Sequence, residues 1–234
     1  MKEPETMNDA LLGGIRQHLE HRRHFVDWRD VYASELSYGR YRGPAPESAL
    51  RAGVMILLFP DSTTDDTRSV NRWHAPLTLR PEHLQVHGGQ ISLPGGAVEG
   101  EETSRQAAFR ELEEELGVDA RDVHYLGELS DIYVFASNYL VTPYVGVVER
   151  RPTWRPQQTE VAEVIELPLE HLIESTNTGQ KKREKQGIVF QSPCITFGHH
   201  EIWGATSMIL GEFIAVVREA AGLPLTISGQ TEDH

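Results

Sequence analysis

The amino-acid sequence predicts an α+β fold, an α/β/α sandwich in which a mixed β-sheet is flanked by helices. Segments with strand composition begin at residue 53. Segments with helical spacing of apolar residues lie between and after them. A chain of 234 residues with 39% hydrophobic and 24% charged residues can bury one good core. We therefore expect a single sheet with helices packed on it.

The first part of the chain differs from the rest. Residues 7–24 carry Leu11, Leu12, Ile15 and Leu19 at helical spacing. Residues 37–48 are rich in Gly, Pro and Tyr, which favours a loop. An amphipathic helix here is compatible with a dimer contact, and so with a homodimer, and equally with a pocket lid. The predicted division is an N-terminal helical extension at 1–49, a main domain at 50–222 and a tail at 223–234.

The main domain alternates strand and helix signals. The predicted strands are residues 53–59, 76–80, 89–94, 125–134 and 140–148. A helix over 103–116 has a capping box in Thr103 and Gln106 and a stop signal at Gly117. A short helix is expected after Pro168, and residues 204–220 carry a broad apolar stripe typical of a core helix.

Charge and composition exclude several classes of function. A net charge of -13 disfavours nucleic acid and anionic membrane surfaces, because those partners are bound through clustered Lys and Arg. The longest apolar run, residues 54–59, is far shorter than the roughly 20 residues of a membrane helix. The single cysteine, Cys194, is interpreted as a small buried apolar group. We expect a cytoplasmic protein.

One acidic segment carries the chemistry. Five residues separate Gly96 from Glu102, and seven more separate Glu102 from Arg110. The chain then continues Arg110-Glu111-Leu112-Glu113-Glu114-Glu115-Leu116-Gly117-Val118. On a helix, positions i, i+3 and i+4 share a face, so Glu111, Glu114 and Glu115 present their carboxylates together. Such all-oxygen ligands favour Mg²⁺ or Mn²⁺ over zinc.

This segment matches the signature of the Nudix hydrolases at every fixed position, and the chain is identified as a member of that family. The resemblance implies the Nudix fold and metal-dependent hydrolysis of a diphosphate linkage in a small nucleotide-containing substrate. It implies that Glu111 and Glu115 bind the metal directly, with Glu114 ligating or supporting and the Gly96 carbonyl as a further ligand. Arg110 would orient Glu114.

The catalytic base is less determined by the resemblance, because the family takes it from different places. Glu114, Glu160 and Glu163 are the candidates, and the last two lie in a segment that resembles the family's late strand. Either of these two could also be an ordinary exposed strand residue. Among them, Glu114 and Glu163 are our predicted catalytic carboxylates, with Arg110.

Residues 77–96 also resemble the extra signature of the coenzyme A pyrophosphatase branch. The residues that agree are Thr78, Arg80, Gly89, Pro94, Gly95 and Gly96. The residues that differ are Pro81, Gln85 and Leu93. Gln85 stands where the branch has arginine, which removes a cation near a multiply charged substrate. The resemblance implies that Arg80, Gln85 and Gly95 bind substrate and that coenzyme A is cut to 3′,5′-ADP and 4′-phosphopantetheine.

Other polar groups outside the two signatures have plainer interpretations. A basic loop could contact the 3′-phosphate of the substrate, although such loops are usually just solvated: Lys181, Lys182, Arg183 and Lys185. His87 and the pair His199 and His200 lack a companion ligand pattern, so we interpret them as polar loop residues and not as a metal site.

Three hypotheses follow from the sequence. The first is a diphosphatase of coenzyme A or acyl-CoA. The second is a Nudix hydrolase of ADP-ribose or a dinucleotide, which the glutamine at position 85 keeps open. The third is a non-catalytic Nudix-fold ligand sensor, against which the intact glutamates of the acidic segment argue.

Overall fold

The computed structural model describes residues 9–21, 25–37, 39–61, 70–83, 88–185 and 187–225. The helices are α1 (Ala10–Glu20), α2 (Ser104–Leu116), α3 (Leu169–Ile173) and α4 (Ala205–Ala220). The strands are β1 (Leu50–Pro60), β2 (Trp73–Leu79), β3 (Ile91–Ser92), β4 (Gly95–Ala97), β5 (His124–Glu128), β6 (Ile132–Val134), β7 (Tyr139–Val147), β8 (Glu163–Pro168), β9 (Thr178–Lys185), β10 (Ile188–Phe197) and β11 (His200–Trp203). Gln85 and His87 lie outside the described residues.

A mixed sheet forms the centre of the described part of the chain. Its strand order is β3-β2-β1-β7-β5, with β4 paired to β1, β6 to β7 and β8 to β2. The pairing of β1 with β7 is parallel, with Leu50 opposite Tyr139 and Leu58 opposite Val147. The other pairings in this sheet are antiparallel. Strand β1 therefore contacts β2, β4 and β7, which makes it the organising strand.

Alternate residues of β1 face opposite sides of the sheet, because side chains alternate along a strand. On one side, Ile56 and Leu58 belong to a large apolar core that includes α1 and α4. On the other side, Met55, Leu57 and Phe59 pack in a smaller core against α2. The two cores with their helices are the outer layers of an α/β/α sandwich, so the predicted fold class is confirmed.

The N-terminal extension packs into the larger core. Helix α1 buries Leu11, Leu12, Ile15 and Leu19 among core residues of the main domain. Asp9 caps this helix by accepting from the backbone N–H of Leu11 (2.9 Å). Its second oxygen accepts from the indole N–H of Trp73 (3.2 Å), the first residue of β2. The extension and the sheet thus share one core.

Most predicted elements are confirmed, with ends shifted by a few residues. The first predicted helix is confirmed for residues 10–20, and the capping box and the left-handed Gly117 of α2 are present. Strand β8 and α3 occupy the segment predicted to resemble the late strand. Among the described residues, none of the helices combines the length and apolar character needed to span a bilayer.

A second, three-stranded sheet has the strand order β11-β10-β9. The prediction of a basic loop at 181–185 is wrong, because these residues lie in β9 and pair with β10. The sequence did not indicate this strand, because its run of charged residues lacks the apolar alternation that predicts a strand. Within it, Arg183 stacks over the Trp203 ring, 4.1 Å from its centroid, and forms an ion pair with Glu201 (3.1 Å).

Candidate functional site

Helix α2 is fixed at both ends by local interactions. The Thr103 hydroxyl accepts from the backbone N–H of Gln106 (3.2 Å), and the Gln106 side chain accepts from the backbone N–H of Thr103 (2.8 Å). Gly117 ends the helix in the left-handed conformation with φ 72. Ala108, Leu112 and Leu116 are buried in the smaller core. The opposite face, with its glutamates, is consequently held at a defined rotation.

Glycines allow the backbones of β1, β4 and α2 to approach closely. A Cβ on Gly53 would lie 1.8 Å from the Ser104 carbonyl oxygen, so only glycine fits where β1 meets the helix. Gly95 has φ 151, and a Cβ there would lie 2.4 Å from the Gly53 carbonyl oxygen. A Cβ on Gly96 would lie 2.1 Å from Glu111 Oε1. The Gly96 backbone thus lies directly against the Glu111 carboxylate.

Arg110 ties the helix to the strand and loop before it. Its guanidinium donates two hydrogen bonds to the Glu102 carboxylate (2.9 and 3.2 Å). It also donates to the Ala97 carbonyl oxygen of β4 (3.1 Å). The remaining contacts are to Glu111 Oε1 (2.8 Å) and Glu114 Oε2 (3.0 Å). Hydrogen bonding to Glu102 raises the pKa of the guanidinium, so Arg110 is a fixed cation that orients acidic side chains.

Three carboxylates meet beside this face of α2. One oxygen each from Glu111, Glu115 and Glu160 lie within 4.8 Å of one another. Glu111 and Glu115 come from consecutive turns of α2, while Glu160 comes from the loop before β8. The donor set is all oxygen, which suits Mg²⁺ or Mn²⁺. We call these three residues the carboxylate group.

The loop that carries Glu160 is attached to the end of α2 by backbone hydrogen bonds. The N–H of Arg155 donates to the Leu116 carbonyl (2.9 Å), and that of Gln157 donates to the Glu115 carbonyl (3.1 Å). A turn follows, in which the Glu160 N–H donates to the Gln157 carbonyl (2.9 Å). These contacts bring Glu160 back to the face of the helix.

Burial shapes the electrostatics of the carboxylate group. Desolvation, together with the charges of Glu111 and Glu160, raises the pKa of the Glu115 carboxyl to about 8. The Gly95 N–H, which donates to Glu115 Oε2 (3.2 Å), and the Arg80 guanidinium act in the opposite direction. Desolvation also raises the pKa of Glu111. Closely spaced buried carboxylates of this kind need a cation or a proton to offset their repulsion.

Arg80 lies immediately after β2 and beside the carboxylate group. Its Nη1 is 3.9 Å from Glu115 Oε1, and its side chain is 27% exposed. Its Nε is buried and has no hydrogen-bond partner within the described residues. The Gly89 N–H donates to the Arg80 carbonyl (3.0 Å), and Gly89 has φ 70. Arg80 is thus a partly unsatisfied cation at the edge of the site.

The remaining predicted site residues are not brought into the carboxylate group. The Glu114 side chain is 53% exposed and forms an ion pair with Arg110, which keeps it to one side. The Glu163 carboxylate accepts from His200 Nε2 (3.2 Å). Gln85 lies outside the described residues. Of the three candidate bases, only Glu160 joins Glu111 and Glu115, and no local motif in the sequence singles it out.

The interpretation of His199 and His200 as loop residues is wrong for His200, and a candidate companion ligand lies beside the pair. His199 lies in a turn, but His200 is the first residue of β11 and is only 9% exposed. Glu163 is the companion, since one ligand atom from each of the three residues lies within 4.8 Å of the others. The sequence separates Glu163 from the histidines by more than thirty positions, so spacing alone could not reveal it.

Comparison with known proteins gives a match to one family. The model of the NUDIX domain matches residues 51–186, more than half of the 234-residue chain. The "Uncharacterized Nudix hydrolase NudL" of Salmonella paratyphi B is 32% identical over 137 residues, which cover 58% of this chain and 71% of that protein. The protein of the same name from Salmonella newport shows the same identity and coverage.

Solved structures of similar architecture share less of the sequence. A MutT/nudix family protein from Enterococcus faecalis has a TM-score of 0.46 and 15% identity, covering 88% of this chain and 78% of that chain. The Nudix hydrolase RenU of M. smegmatis has a TM-score of 0.41 and 21% identity, covering 58% of this chain and 78% of that chain.

Proposed function

This chain belongs to the Nudix hydrolase family, and from that membership we propose that it cleaves the diphosphate linkage of coenzyme A or an acyl-CoA. Nudix hydrolases act on nucleoside diphosphate derivatives and generally use divalent metal ions. The proposed products from coenzyme A are 3′,5′-ADP and 4′-phosphopantetheine. The coenzyme A substrate rests on Thr78, Arg80 and the Pro94-Gly95-Gly96 run of the branch signature.

The observation that carries the hydrolase proposal is the carboxylate group of Glu111, Glu115 and Glu160. We propose that Glu111 and Glu115 hold Mg²⁺ or Mn²⁺, with the adjoining Gly96 backbone as a further oxygen donor. When bound, such ions neutralise phosphate charge and acidify water. The site residues supply oxygen ligands alone, and the glycines let the backbone of β4 approach them closely, which fits these hard cations.

The chain's own residues then have separate tasks in hydrolysis. Water forms a new bond to phosphorus while the bond from phosphorus to the bridging oxygen breaks, and no covalent enzyme intermediate is required. We assign the proton of the attacking water to Glu160, ahead of Glu114 and Glu163, and the proximity of its oxygen to those of Glu111 and Glu115 supports this assignment. Arg110 is a positioning residue that holds Glu111 and Glu114.

Arg80 supports binding of a diphosphate beside this group. Its buried Nε lacks a hydrogen-bond partner within the described residues, and its Nη1 lies near Glu115. A guanidinium with donors to spare matches phosphate oxygens. The Gly95 N–H lies beside the same carboxylate and donates to Glu115 Oε2 (3.2 Å), and we propose that the Gly95 backbone also contacts the substrate.

ADP-ribose or a dinucleotide is the second candidate substrate. The specific observation in its favour is Gln85, which stands where the coenzyme A branch carries arginine. A substrate without a 3′-phosphate carries less negative charge and needs less positive charge in its binding site. The loss of the arginine would therefore weaken the binding of such a substrate less than the binding of coenzyme A. A ligand sensor without catalysis is the third possibility, and the complete carboxylate group argues against it.

A product assay tests the proposal. The protein is incubated with Mg²⁺ or Mn²⁺ and a panel of coenzyme A, acetyl-CoA, ADP-ribose and NADH, and products are identified by mass. We expect 3′,5′-ADP from the first two compounds, and faster turnover of coenzyme A in Gln85→Arg than in the native protein. Turnover of ADP-ribose or NADH alone would select the second candidate. Tight binding of a compound without any turnover would favour the sensor and contradict the hydrolase.

A further inference from the structure

A second group of metal-ligating side chains lies outside the carboxylate group. It consists of Glu163, the first residue of β8, His199 in the turn after β10 and His200, the first residue of β11. One ligand atom from each lies within 4.8 Å of the other two. The rings of the two histidines are 4.0 Å apart between centroids. We call these residues the histidine group.

The spacing of His200 and Glu163 within the histidine group suits a tetrahedral metal ion. Ligand bonds of about 2.0–2.2 Å to zinc, at the tetrahedral angle, place two ligand atoms roughly 3.4 Å apart. His200 Nε2 and Glu163 Oε1 are 3.2 Å apart. An ion could therefore replace the shared hydrogen bond between these atoms with little movement. His199 is exposed and adjacent in the chain, so its ring can turn to supply the third ligand.

The two groups differ in the cations that they favour. The carboxylate group offers oxygen alone, which selects hard ions such as Mg²⁺. The histidine group offers two imidazole nitrogens and one carboxylate oxygen, a set that binds zinc and neighbouring transition metals. Three protein ligands leave one tetrahedral position for water or another small ligand, as in open zinc sites.

The histidine group also bridges two parts of the fold. Glu163 belongs to the central sheet through its pairing with Leu79 on β2. His200 belongs to the three-stranded sheet through its pairing with Phe197 on β10. In the described part of the chain, β10 and β11 do not pair with strands of the central sheet. A metal ion bound here would cross-link the two sheets.

We propose that Glu163, His199 and His200 form a binding site for a transition-metal ion of the zinc class, which fastens the β10–β11 turn to β8. This site is separate from the proposed Mg²⁺ or Mn²⁺ site in its ligand chemistry and in its residues. Binding of the ion stabilises the folded protein by RT ln(1 + c/Kd), where c is the free metal concentration, so the stabilisation grows with the logarithm of that concentration over the dissociation constant. The site is independent of which nucleotide the protein hydrolyses.

The test uses Zn²⁺ alone as the probe, with the full chain stripped of metal and kept in excess Mg²⁺. Imidazole nitrogen chemical shifts are followed by NMR in ¹⁵N-labelled protein during the titration, and affinity is measured by calorimetry. We expect the ring nitrogens of His199 and His200 to shift on addition of one equivalent of Zn²⁺, together with a rise in Tm. The matched control histidine is His124, which is also partly exposed and lies near a glutamate, Glu149 (3.9 Å).

Two variants separate a metal site from an ordinary hydrogen bond. His199→Ala removes a ligand at an exposed position, so the fold is retained, and we expect Zn²⁺ affinity to fall by about 100-fold or more. His124→Ala should bind Zn²⁺ as the native protein does. The proposal is overturned if the imidazole nitrogens of residues 199 and 200 do not respond to Zn²⁺, or if the two variants bind Zn²⁺ equally well.

Discussion

Glu115 is a buried carboxylate whose pKa is shifted by four neighbouring groups: the Gly95 N–H, Glu111, Arg80 and Glu160. Replacing it by glutamine keeps the shape of the side chain but removes the negative charge that a metal ion needs. We expect Glu115→Gln to lower kcat/KM in Mg²⁺ by about 100-fold or more while the circular dichroism spectrum is unchanged. Steady-state kinetics on the substrate identified by the product assay measure this effect.

The matched control for this substitution is Glu113→Gln on the same helix. Glu113 is exposed and lies outside the carboxylate group, so replacing it by glutamine removes a negative charge without removing a metal ligand. Equal losses in the two variants, or full activity in Glu115→Gln, would exclude Glu115 as a metal ligand.

The raised pKa of Glu115 makes the metal-free protein sensitive to pH. Its folded-state pKa of about 8 is above the ordinary value of 4.5, so the folded protein binds this proton more tightly than the unfolded chain does. Stability is therefore unaffected below about pH 4.5 and falls as pH rises from there towards 8. We expect the Tm of the metal-free native protein to fall across this window relative to Glu115→Gln. Parallel Tm profiles for the two proteins would contradict the buried, protonated carboxyl.

The sequence could predict which residues of the site lie together where those residues are close to one another in the chain. Glu111, Glu115 and Arg110 sit within two turns of one helix, so their common face follows from helical geometry. Glu160 joins them only because backbone hydrogen bonds from Arg155 and Gln157 return the loop to α2. Such a return depends on the tertiary fold, and the sequence offers only the carboxylate itself as a signal.

At the scale of elements, α1 and α4 pack closely through a glycine. A Cβ on Gly14 would lie 2.9 Å from the Ala220 Cβ of α4, whereas a Cβ on Gly13 would meet nothing within 4 Å. We expect Gly13→Ala to stabilise the protein by about 0.5–1 kcal/mol through helix propensity, and Gly14→Ala to destabilise it by separating the helices. In urea unfolding, the changes in the free energy of unfolding relative to the native protein should have opposite signs for the two variants. A gain in stability from both would show that the contact between the helices is loose.

Elements with strong local signals were predicted well, and those defined by pairing were not. The capping box and Gly117 marked both ends of α2, and apolar composition marked β1 and β7. Strand β9 carries charged residues along most of its length and is held by pairing with β10, which local pattern cannot reveal. Strand β10 buries Phe190 and the four consecutive residues 192–195, so it has no apolar alternation that would have indicated the hairpin.

At the scale of the whole molecule, a buried ion pair joins the N-terminal extension to α4. The Arg29 and Glu212 side chains are 1% and 2% exposed, and Arg29 also donates to the Asp131 carbonyl (2.8 Å). We expect Arg29→Met to lower the free energy of unfolding by about 3–5 kcal/mol, because Glu212 is left buried without its counter-ion. Adding Glu212→Gln, which removes the uncompensated charge, should recover part of the loss. Denaturant unfolding measures both changes.

The control for the ion pair is Arg42→Met in the same extension. Arg42 pairs with Asp27 and Asp30 but is 48% exposed, so its loss should cost no more than about 1 kcal/mol. Similar losses from positions 29 and 42 would mean that the buried pair does not anchor the extension. The division at residue 49 stays a prediction, although the shared core argues that the extension and the main domain fold together.

The parallel pairing of β1 with β7 has a consequence for how the protein comes to its native state. Two parallel neighbouring strands must be joined by a long crossover. The crossover from β1 to β7 includes β4 and α2, so these two strands pair only after a large loop of chain has closed. Helix α2 can nucleate early from its own cap, yet Glu160, which lies beyond β7, reaches Glu111 and Glu115 only after that closure. Mg²⁺ should accordingly slow unfolding in stopped-flow measurements and leave the refolding rate unchanged. A refolding rate that rises with Mg²⁺ would mean that the carboxylate group is assembled before the loop between β1 and β7 closes.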